Sequence, residues 1–149
     1  MTTSTDLVRS YLESLRGRRE PGFEDALRRH LTEDAICVEA EMIPWGGTWT
    51  GIDGYLGVFD ALQAAVEKAP AIDPARVRSE IGVLVSAGDR VFREFTLRLG
   101  GLDGTEYVMP GAETYTIKDG RIAEIRVYFQ DTAYLNQILS ADAHGRQNF

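Results

Sequence analysis

The fold is decided by residues 105–129, whose sequence is TEYVMPGAETYTIKDGRIAEIRVYF. Apolar and polar side chains alternate along this stretch, as they do in strands that bury one face. The Lys118-Asp119-Gly120 segment in its middle is typical of a tight hairpin turn. We therefore predict two antiparallel strands, over 105–117 and 121–129.

The same alternation begins earlier, at Arg76, so the second half of the chain predicts a meander of four strands. The first two strands are expected over 76–86 and 90–99. Turns are indicated at Ala87-Gly88-Asp89 and within the glycine-rich segment 100–104. Strands connected in this way form an antiparallel sheet.

The first third of the chain has helical periodicity instead. Apolar residues from Leu7 to Leu15 recur at helical spacing, and Gly17 follows as a stop. A second helix is predicted over 23–31, and a third is predicted to begin at Asp53 as its N-cap. The third helix carries an apolar stripe suited to packing on a sheet.

Between the second and third helices, residues 35–40 include β-branched side chains and predict the first strand. The next segment, 42–51, holds both tryptophans between glycines and predicts an irregular loop. Helices followed by hairpin-connected strands indicate an α+β fold with the helices on one face of the sheet. The 149 residues, 44% of them hydrophobic, fit a single domain over 1–149 with a flexible tail at 141–149.

The amino-acid composition of the chain argues against several classes of function. The net charge is −7 and the Lys and Arg residues are scattered, so nucleic acid is not an expected partner. The N-terminus lacks a signal-peptide pattern and no apolar run approaches the roughly 18 residues of a membrane helix. We therefore expect a cytoplasmic protein without membrane contact. The single cysteine, Cys37, and the two histidines argue against a disulfide, a metal site or a cofactor.

Three strings carry a family resemblance: LTEDA at 31–35, GTWTG at 47–51 and IKDGRIAEIRVYF at 117–129. Together with the order of elements, they resemble the nuclear transport factor 2-like superfamily, which includes ketosteroid isomerases, limonene epoxide hydrolases and SnoaL-type polyketide cyclases. The resemblance covers nearly the whole chain. It implies a cone-shaped, curved antiparallel sheet with the N-terminal helices packed on its concave face, around one small-molecule pocket. Because this fold hosts many activities, function has to be argued from the site.

The resemblance to ketosteroid isomerases implies three catalytic residues. Tyr11 lies where that family has its oxyanion-hole tyrosine, Glu39 where it has its general base, and Glu113 near its second oxyanion-hole acid. Glu39 would shuttle a proton while Tyr11 and a protonated Glu113 donate hydrogen bonds to an enolate oxygen. The family has aspartates at the two acidic positions, and the longer glutamates move each carboxylate by about 1 Å. Core packing of Tyr11 and surface positions for both glutamates are the alternatives.

The other two relatives match less well. Limonene epoxide hydrolases use an Arg-x-Asp pair on the second strand of the meander, where this sequence has Phe95 and Leu97. SnoaL-type cyclases carry an acid at the end of the last strand, where this sequence has Gln130 followed by Asp131. Asp131 is a fourth catalytic candidate if a bulge turns it inward. Otherwise it caps a short closing helix.

Strand alternation divides the last predicted strand into two faces. One face carries Glu124, Arg126, Tyr128 and Gln130, and the other carries Ala123, Ile125, Val127 and Phe129. We expect the polar stripe to rim the pocket and Arg126 to neutralise one of the glutamates. The apolar stripe would then lie on the outer face of the sheet, where it favours a homodimer.

Aromatic side chains complete the expected binding site. Trp45 and Trp49, on the glycine-flanked loop, suit an apolar lid over a flat ligand, with core packing or dimer contacts as the alternative. The substrate-binding residues are therefore expected to be Trp45, Trp49, Tyr55, Phe59, Tyr115, Arg126, Tyr128 and Gln130.

These residues predict an enzyme without a cofactor that performs acid–base chemistry on an apolar, carbonyl- or epoxide-bearing small molecule. The expected reaction class is isomerisation, cyclisation or dehydration in secondary metabolism. Two alternatives stay open. One is a non-catalytic protein that binds a hydrophobic ligand, and the other is an assembly module that acts through the outer face of its sheet.

Overall fold

The structure, a computed structural model, describes residues 2–142 of the chain. The helices in this range are α1 (Ser4–Ser14), α2 (Phe23–His30), α3 (Gly51–Lys68) and α4 (Thr132–Ser140), with one 3₁₀ turn at Leu15–Gly17. The strands are β1 (Leu31–Glu39), β2 (Gly47–Thr50), β3 (Ile72–Ala87), β4 (Arg90–Gly101), β5 (Glu106–Lys118) and β6 (Arg121–Phe129). Most of the tail expected at 141–149 lies outside the described residues.

The described strands form one curved, unclosed sheet in the order β2-β1-β6-β5-β4-β3. The α+β fold and the four-stranded meander of β3 to β6 are therefore confirmed. One pairing departs from the expected antiparallel sheet, because β1 and β6 run parallel. The periodicity of the two strands could not predict this pairing, since it joins segments that are far apart in the sequence.

Two local predictions between β1 and α3 are wrong. Residues 47–50, expected in an irregular loop, form β2 and pair with β1, with Trp49 opposite Cys37. Helix α3 begins at Gly51 after Thr50 as its N-cap, so Asp53 lies in the first turn and is not the cap. A carboxylate in the first turn still interacts favourably with the helix dipole.

The core lies between the helices and the concave face of the sheet. Helix α3 packs across β1, and α1 packs against β3 and β4. Every second residue of β4 faces this core, and the buried members of the row are Val91, Arg93, Phe95, Leu97 and Leu99. An arginine in this row needs a partner, because a buried charge is costly unless it is paired.

Strand β3 bends where its register with β4 shifts, between Glu80 and Val83. Gly82, inside this bulge, has a φ of 70°, which favours glycine. A Cβ at this position would also overlap the carbonyl oxygen of Glu94. The bulge therefore depends on a glycine at this position.

Gly82→Ala should lower the free energy of unfolding by about 3 kcal/mol, since it adds backbone strain and a steric overlap. Urea denaturation would measure the loss. Gly88→Ala is the matched control: its φ is 63°, but a Cβ there meets nothing within 4 Å. The control should lose only about 1 kcal/mol, and equal losses for the two variants would contradict the role of the overlap.

Candidate active site

A small inner cavity of about 70 Å³ lies between the sheet and helices α1 and α3. Its polar lining side chains are Tyr11 from α1, Cys37 and Glu39 from β1, Tyr55 from α3 and Glu113 from β5. The fold therefore brings together Tyr11, Glu39 and Glu113, as the sequence predicts. Apolar side chains form the remaining walls: Leu12, Leu15, Val58, Phe59, Leu62, Ile125 and Val127.

A larger outer cavity of about 430 Å³ adjoins the inner one. The two share four lining residues, Leu12, Leu15, Phe59 and Leu62. The outer cavity lies between the end of α1, helix α3 and the strands β3 and β4. A ligand that fills the outer cavity would therefore direct one end toward Glu39 and Glu113.

Glu39 is a buried acid without a cationic partner among residues 2–142. Its side chain is 8% exposed, and its Oε1 accepts a hydrogen bond of 3.1 Å from the indole nitrogen of Trp45. Its Oε2 has no hydrogen-bond partner within the described part of the chain. Burial, together with the charge of Glu113, raises the pKa of Glu39 to about 8. At neutral pH Glu39 is therefore mostly a neutral acid with a proton to donate.

Glu113 has the opposite environment. Its Oε1 forms an ion pair with the guanidinium of Arg93 and accepts a 2.6 Å hydrogen bond from the hydroxyl of Tyr115. A guanidinium in direct contact stabilises the charged form of a carboxylate. The sequence did not reveal this cationic partner, which makes Glu113 the paired acid of the cavity, whereas Glu39 has no cation among the described residues.

Arg93 is held by four acceptors. Besides Glu113, it donates to the hydroxyl of Ser79 at 3.0 Å and to the backbone oxygens of Glu80 and Ile81, both at 2.7 Å. The last two acceptors lie next to the bulge of β3, so the bulge at Gly82 helps to position Arg93. The guanidinium is thus fixed in place and orients the carboxylate of Glu113.

Tyr11 and Cys37 face the same inner cavity in their protonated forms. Burial raises the pKa of the Tyr11 hydroxyl well above its ordinary value, and neighbouring Cys37 and Glu113 raise it further. Burial, followed by the charges of Glu39 and Glu113, likewise raises the pKa of the Cys37 thiol. Tyr11 is therefore a hydrogen-bond donor, and Cys37 is a poor nucleophile.

The family model of the SnoaL-like domain matches residues 8–125. The chain belongs to the SnoaL-like domain family. The matched range contains Tyr11, Glu39, Arg93 and Glu113. None of the curated proteins matches the sequence.

Solved structures agree with the SnoaL-like assignment and confirm the resemblance to the nuclear transport factor 2-like superfamily. An NTF2-like protein of unknown function from Burkholderia pseudomallei has a TM-score of 0.75 at 19% identity, over 95% of this chain and 100% of its own. A protein assigned as a SnoaL-like polyketide cyclase from Jannaschia has a TM-score of 0.58 at 16% identity, over 88% and 92%. A protein with a ketosteroid isomerase-like fold from Catenulispora acidiphila, solved with trimethylamine, has a TM-score of 0.62 at 19% identity, over 93% and 95%. At these identities the likeness establishes the fold alone.

The polar stripe of β6 does not rim the pocket of the SnoaL-like domain. Ile125 and Val127 line the inner cavity, so Arg126 and Tyr128 point to the opposite, outer face, and Gln130 follows the end of β6 and lines neither cavity. Arg126 pairs at 3.0 Å with Glu124, which shares its face, and neutralises neither cavity glutamate. The prediction is wrong because alternation shows which residues share a face but not which face the helices cover.

The apolar stripe of β6 therefore does not supply the outer-face interface that was expected for a homodimer. The apolar stripe of β6 is occupied by the cavity and the core, since Ile125 and Val127 are buried. The exposed apolar side chains on the outer face of the sheet are Val83, Val85, Phe92, Val108 and Tyr128. The homodimer itself stays a prediction.

The two tryptophans pack under the site and do not form a lid. Trp45 is buried and holds Glu39, while the Trp49 indole donates a 3.1 Å hydrogen bond to the backbone oxygen of Trp45. Neither indole lines the inner or the outer cavity. The lid prediction is wrong because residues 47–50 form β2 and are tied to β1.

The other predicted binding aromatics lie at or near the cavities. Tyr55 lines the inner cavity, and its hydroxyl donates to the backbone oxygen of Ile36 at 2.8 Å. Phe59 lines both cavities. Tyr115 is buried and does not line either cavity, but its hydroxyl donates a hydrogen bond to Glu113, which lines the inner one.

Asp131 caps α4, where its Oδ1 accepts a 2.9 Å hydrogen bond from the backbone nitrogen of Tyr134. The side chain is exposed and lines neither cavity, so the catalytic position considered for it is wrong. No inward bulge occurs at the end of β6, and the capping preference of aspartate decides its position.

Arg93 is the site residue that the sequence analysis missed. It is the one charged side chain in the inward row of β4, between Val91 and Phe95, and it lies directly opposite Glu113 in the sheet register. A single charge within an apolar row is a usable signal, because it predicts an opposite charge on the neighbouring strand.

None of the helices formed by residues 2–142 has the length and hydropathy of a membrane span. The same residues contain no group of three histidine, cysteine or carboxylate side chains placed to hold a metal ion. The expected absence of a cofactor and the cytoplasmic location stay predictions.

Cys37 should resist alkylation in the folded protein, because its thiol is buried and its pKa is raised. Iodoacetamide at pH 8 should modify it at least ~100-fold more slowly than in the urea-unfolded chain. Mass spectrometry gives an unambiguous readout, since Cys37 is the only cysteine. Equal rates in the two states would show that the thiol is accessible and ionised.

Proposed function

We propose that this SnoaL-like domain is a cofactor-independent enzyme that transfers protons on an apolar, carbonyl-bearing small molecule. The proposal rests on one observation: two carboxyl groups of opposite character line the same inner cavity. Glu39 is buried without a cation among the described residues, whereas Glu113 is paired with Arg93. Two acids in environments as different as these can serve as proton donor and proton acceptor at the same pH.

The carboxylate of Glu113 is the proposed base. It would take a proton from the carbon next to the substrate carbonyl, while Glu39 and Tyr11 donate hydrogen bonds to the oxygen that becomes negative. The proton held by Glu113 then returns to another carbon in an isomerisation. In a cyclisation the enolate carbon attacks a second carbonyl, whose oxygen becomes an alkoxide and takes up the proton from Glu113. The neutral state of Glu39 supports this division of roles, which reverses the one that the isomerase resemblance implies.

The two cavities suit different parts of such a substrate. The outer cavity is large enough for a ring system or a chain, and most of its lining is apolar. The inner cavity, at about 70 Å³, has room for little more than the reacting carbonyl end. Polyketide cyclase and isomerase-like relatives support the reaction class by analogy of fold.

Deuterium exchange tests this function without knowledge of the natural substrate. We expect the protein to accelerate incorporation of deuterium from D₂O next to the carbonyl of an apolar ketone such as 1-indanone, followed by NMR. Glu39→Gln and Glu113→Gln should each reduce the acceleration about 100-fold or more. Glu41→Gln, a change at an exposed neighbour, should have no effect. No acceleration across a panel of apolar ketones, or equal rates for all variants, would refute proton transfer.

One observation favours the alternative of a non-catalytic binding protein. Glu113 already accepts two hydrogen bonds at Oε1, and this arrangement also occurs in purely structural ion pairs. A binding protein would retain apolar ligands in the Glu39→Gln variant with unchanged affinity and would show no exchange activity. Parallel loss of exchange with retained ligand binding would instead support the enzyme.

A further inference from the structure

The outer cavity carries an unusual charge for a protein with a net charge of −7. Four arginines contribute to its lining, and no aspartate or glutamate within residues 2–142 does. The arginines are Arg16, Arg18, Arg78 and Arg93. A positive cavity in a negative protein concentrates anions there and repels cations.

Two of the four arginines are already neutralised. Arg93 is paired with Glu113 and bound to three further acceptors. Arg78 forms a 2.6 Å ion pair with Glu106. Neither has a free charge to offer to a ligand.

Arg16 and Arg18 differ from this pair. Neither forms an ion pair with a carboxylate in the described part of the chain. Arg18 reaches the backbone oxygen of Leu15 at 3.3 Å. Partial burial and the neighbouring Arg19 lower the pKa of Arg18, as expected for a guanidinium that lacks a compensating anion.

We infer that the outer cavity binds an amphipathic anion, whose carboxylate or phosphate lies between Arg16 and Arg18 and whose apolar body fills the cavity. Guanidinium groups bind both kinds of anion through charge-assisted hydrogen bonds. The apolar body would contact the side chains of Leu12, Leu15, Phe59, Leu62, Val77 and Leu97.

The inner cavity fixes the direction of this ligand. An anionic head next to the carboxylate of Glu113 would meet like charge and would be desolvated in the buried inner cavity, so it has to face outward. The neutral end of the ligand then enters the inner cavity. This orientation rests on the proposed function and specifies its substrate class. The substrate would be an apolar acid with its reacting carbonyl at the end opposite the anion.

Calorimetric binding of three matched probes tests the inference: naphthalene-2-carboxylate, its methyl ester and 2-naphthyl phosphate. The carboxylate should bind about 10-fold or more tightly than the ester, because only the anion can form charge-assisted hydrogen bonds. Its advantage should shrink as salt is raised, since Arg16 and Arg18 are in large part exposed to solvent. Tighter binding of the phosphate than of the carboxylate would identify a phosphate monoester as the head, and the reverse order would identify a carboxylate.

Arg16→Gln and Arg18→Gln together should abolish the preference for the anion and leave the ester affinity unchanged. Arg29→Gln is the control, because it removes the same charge from an exposed position on α2 that lines neither cavity. Equal affinity for acid and ester in the wild type, or an unchanged preference in the double variant, would overturn the inference.

The binding assay separates this inference from the proposed function. One outcome is that the wild type shows no deuterium exchange while the Glu39→Gln variant still prefers the anion. This pair of results would refute the proposed enzyme activity and support the anion-binding site. Exchange activity without anion preference would refute the binding site and retain the enzyme.

Discussion

Replacing Arg93 with methionine should lower the free energy of unfolding by about 3–5 kcal/mol. The variant leaves the carboxylate of Glu113 at the inner cavity without its cation. It also leaves the backbone oxygens of Glu80 and Ile81 without the donor that satisfies them. A charge left without its partner in a water-poor site costs more than the lost contact itself. Urea denaturation followed by tryptophan fluorescence would measure the change.

Two comparisons make this prediction specific to the buried pair. Arg98→Met removes an arginine from the more exposed pair with Glu80 and should lower the free energy of unfolding much less, because solvent screens that pair. The double variant Arg93→Met/Glu113→Leu should recover much of the loss, because no unpaired charge remains. If Arg93→Met lowers the free energy of unfolding no more than Arg98→Met does, the buried pair of Arg93 and Glu113 does not stabilise the site.

The fold was predictable because its signals are local. Alternation and the Lys118-Asp119-Gly120 turn give β5 and β6 within a few residues, and helical spacing gives α1 and α3. The parallel pairing of β1 with β6 was not predictable from periodicity, because nothing local in either strand encodes a partner so distant in sequence.

The candidate site was predictable only in part. The positions of Tyr11, Glu39 and Glu113 on one cavity follow from the family resemblance and from strand alternation. The environments of the two acids do not, because they depend on which neighbours fill the space: Trp45 and apolar walls around Glu39, Arg93 beside Glu113. The identity of a glutamate in the sequence does not show which of these neighbours it will have in the folded protein.

The stability of the protein should also depend on pH through Glu39. Its pKa is about 8 in the folded protein, against an ordinary value of 4.5 for the unfolded chain. Between these two pH values the folded state holds a proton that the unfolded state has released, so rising pH favours unfolding. The stabilisation is complete below pH 4.5 and is lost as the pH passes 8. At about 1.4 kcal/mol for each pH unit, the upper bound on the loss is about 5 kcal/mol.

Glu39→Gln isolates this contribution, because glutamine keeps the shape and the acceptor for Trp45 but does not titrate in this range. The difference in unfolding free energy between wild type and variant should fall by up to about 5 kcal/mol from pH 4.5 to pH 8. It should be flat above and below that window. Above pH 8 the variant should be the more stable protein, since the wild type then buries a carboxylate without a cation among its described neighbours.

The matched control for this experiment is Glu41→Gln, an exposed change two residues away. It removes the same type of carboxyl group from an exposed position and gives the reference curve for Glu39→Gln. Urea denaturation at intervals between pH 4 and pH 9 would give both difference curves. A Glu39 curve that does not fall between pH 4.5 and pH 8 would mean that Glu39 is ionised in the folded protein at neutral pH. It could then not donate the proton that the proposed reaction assigns to it.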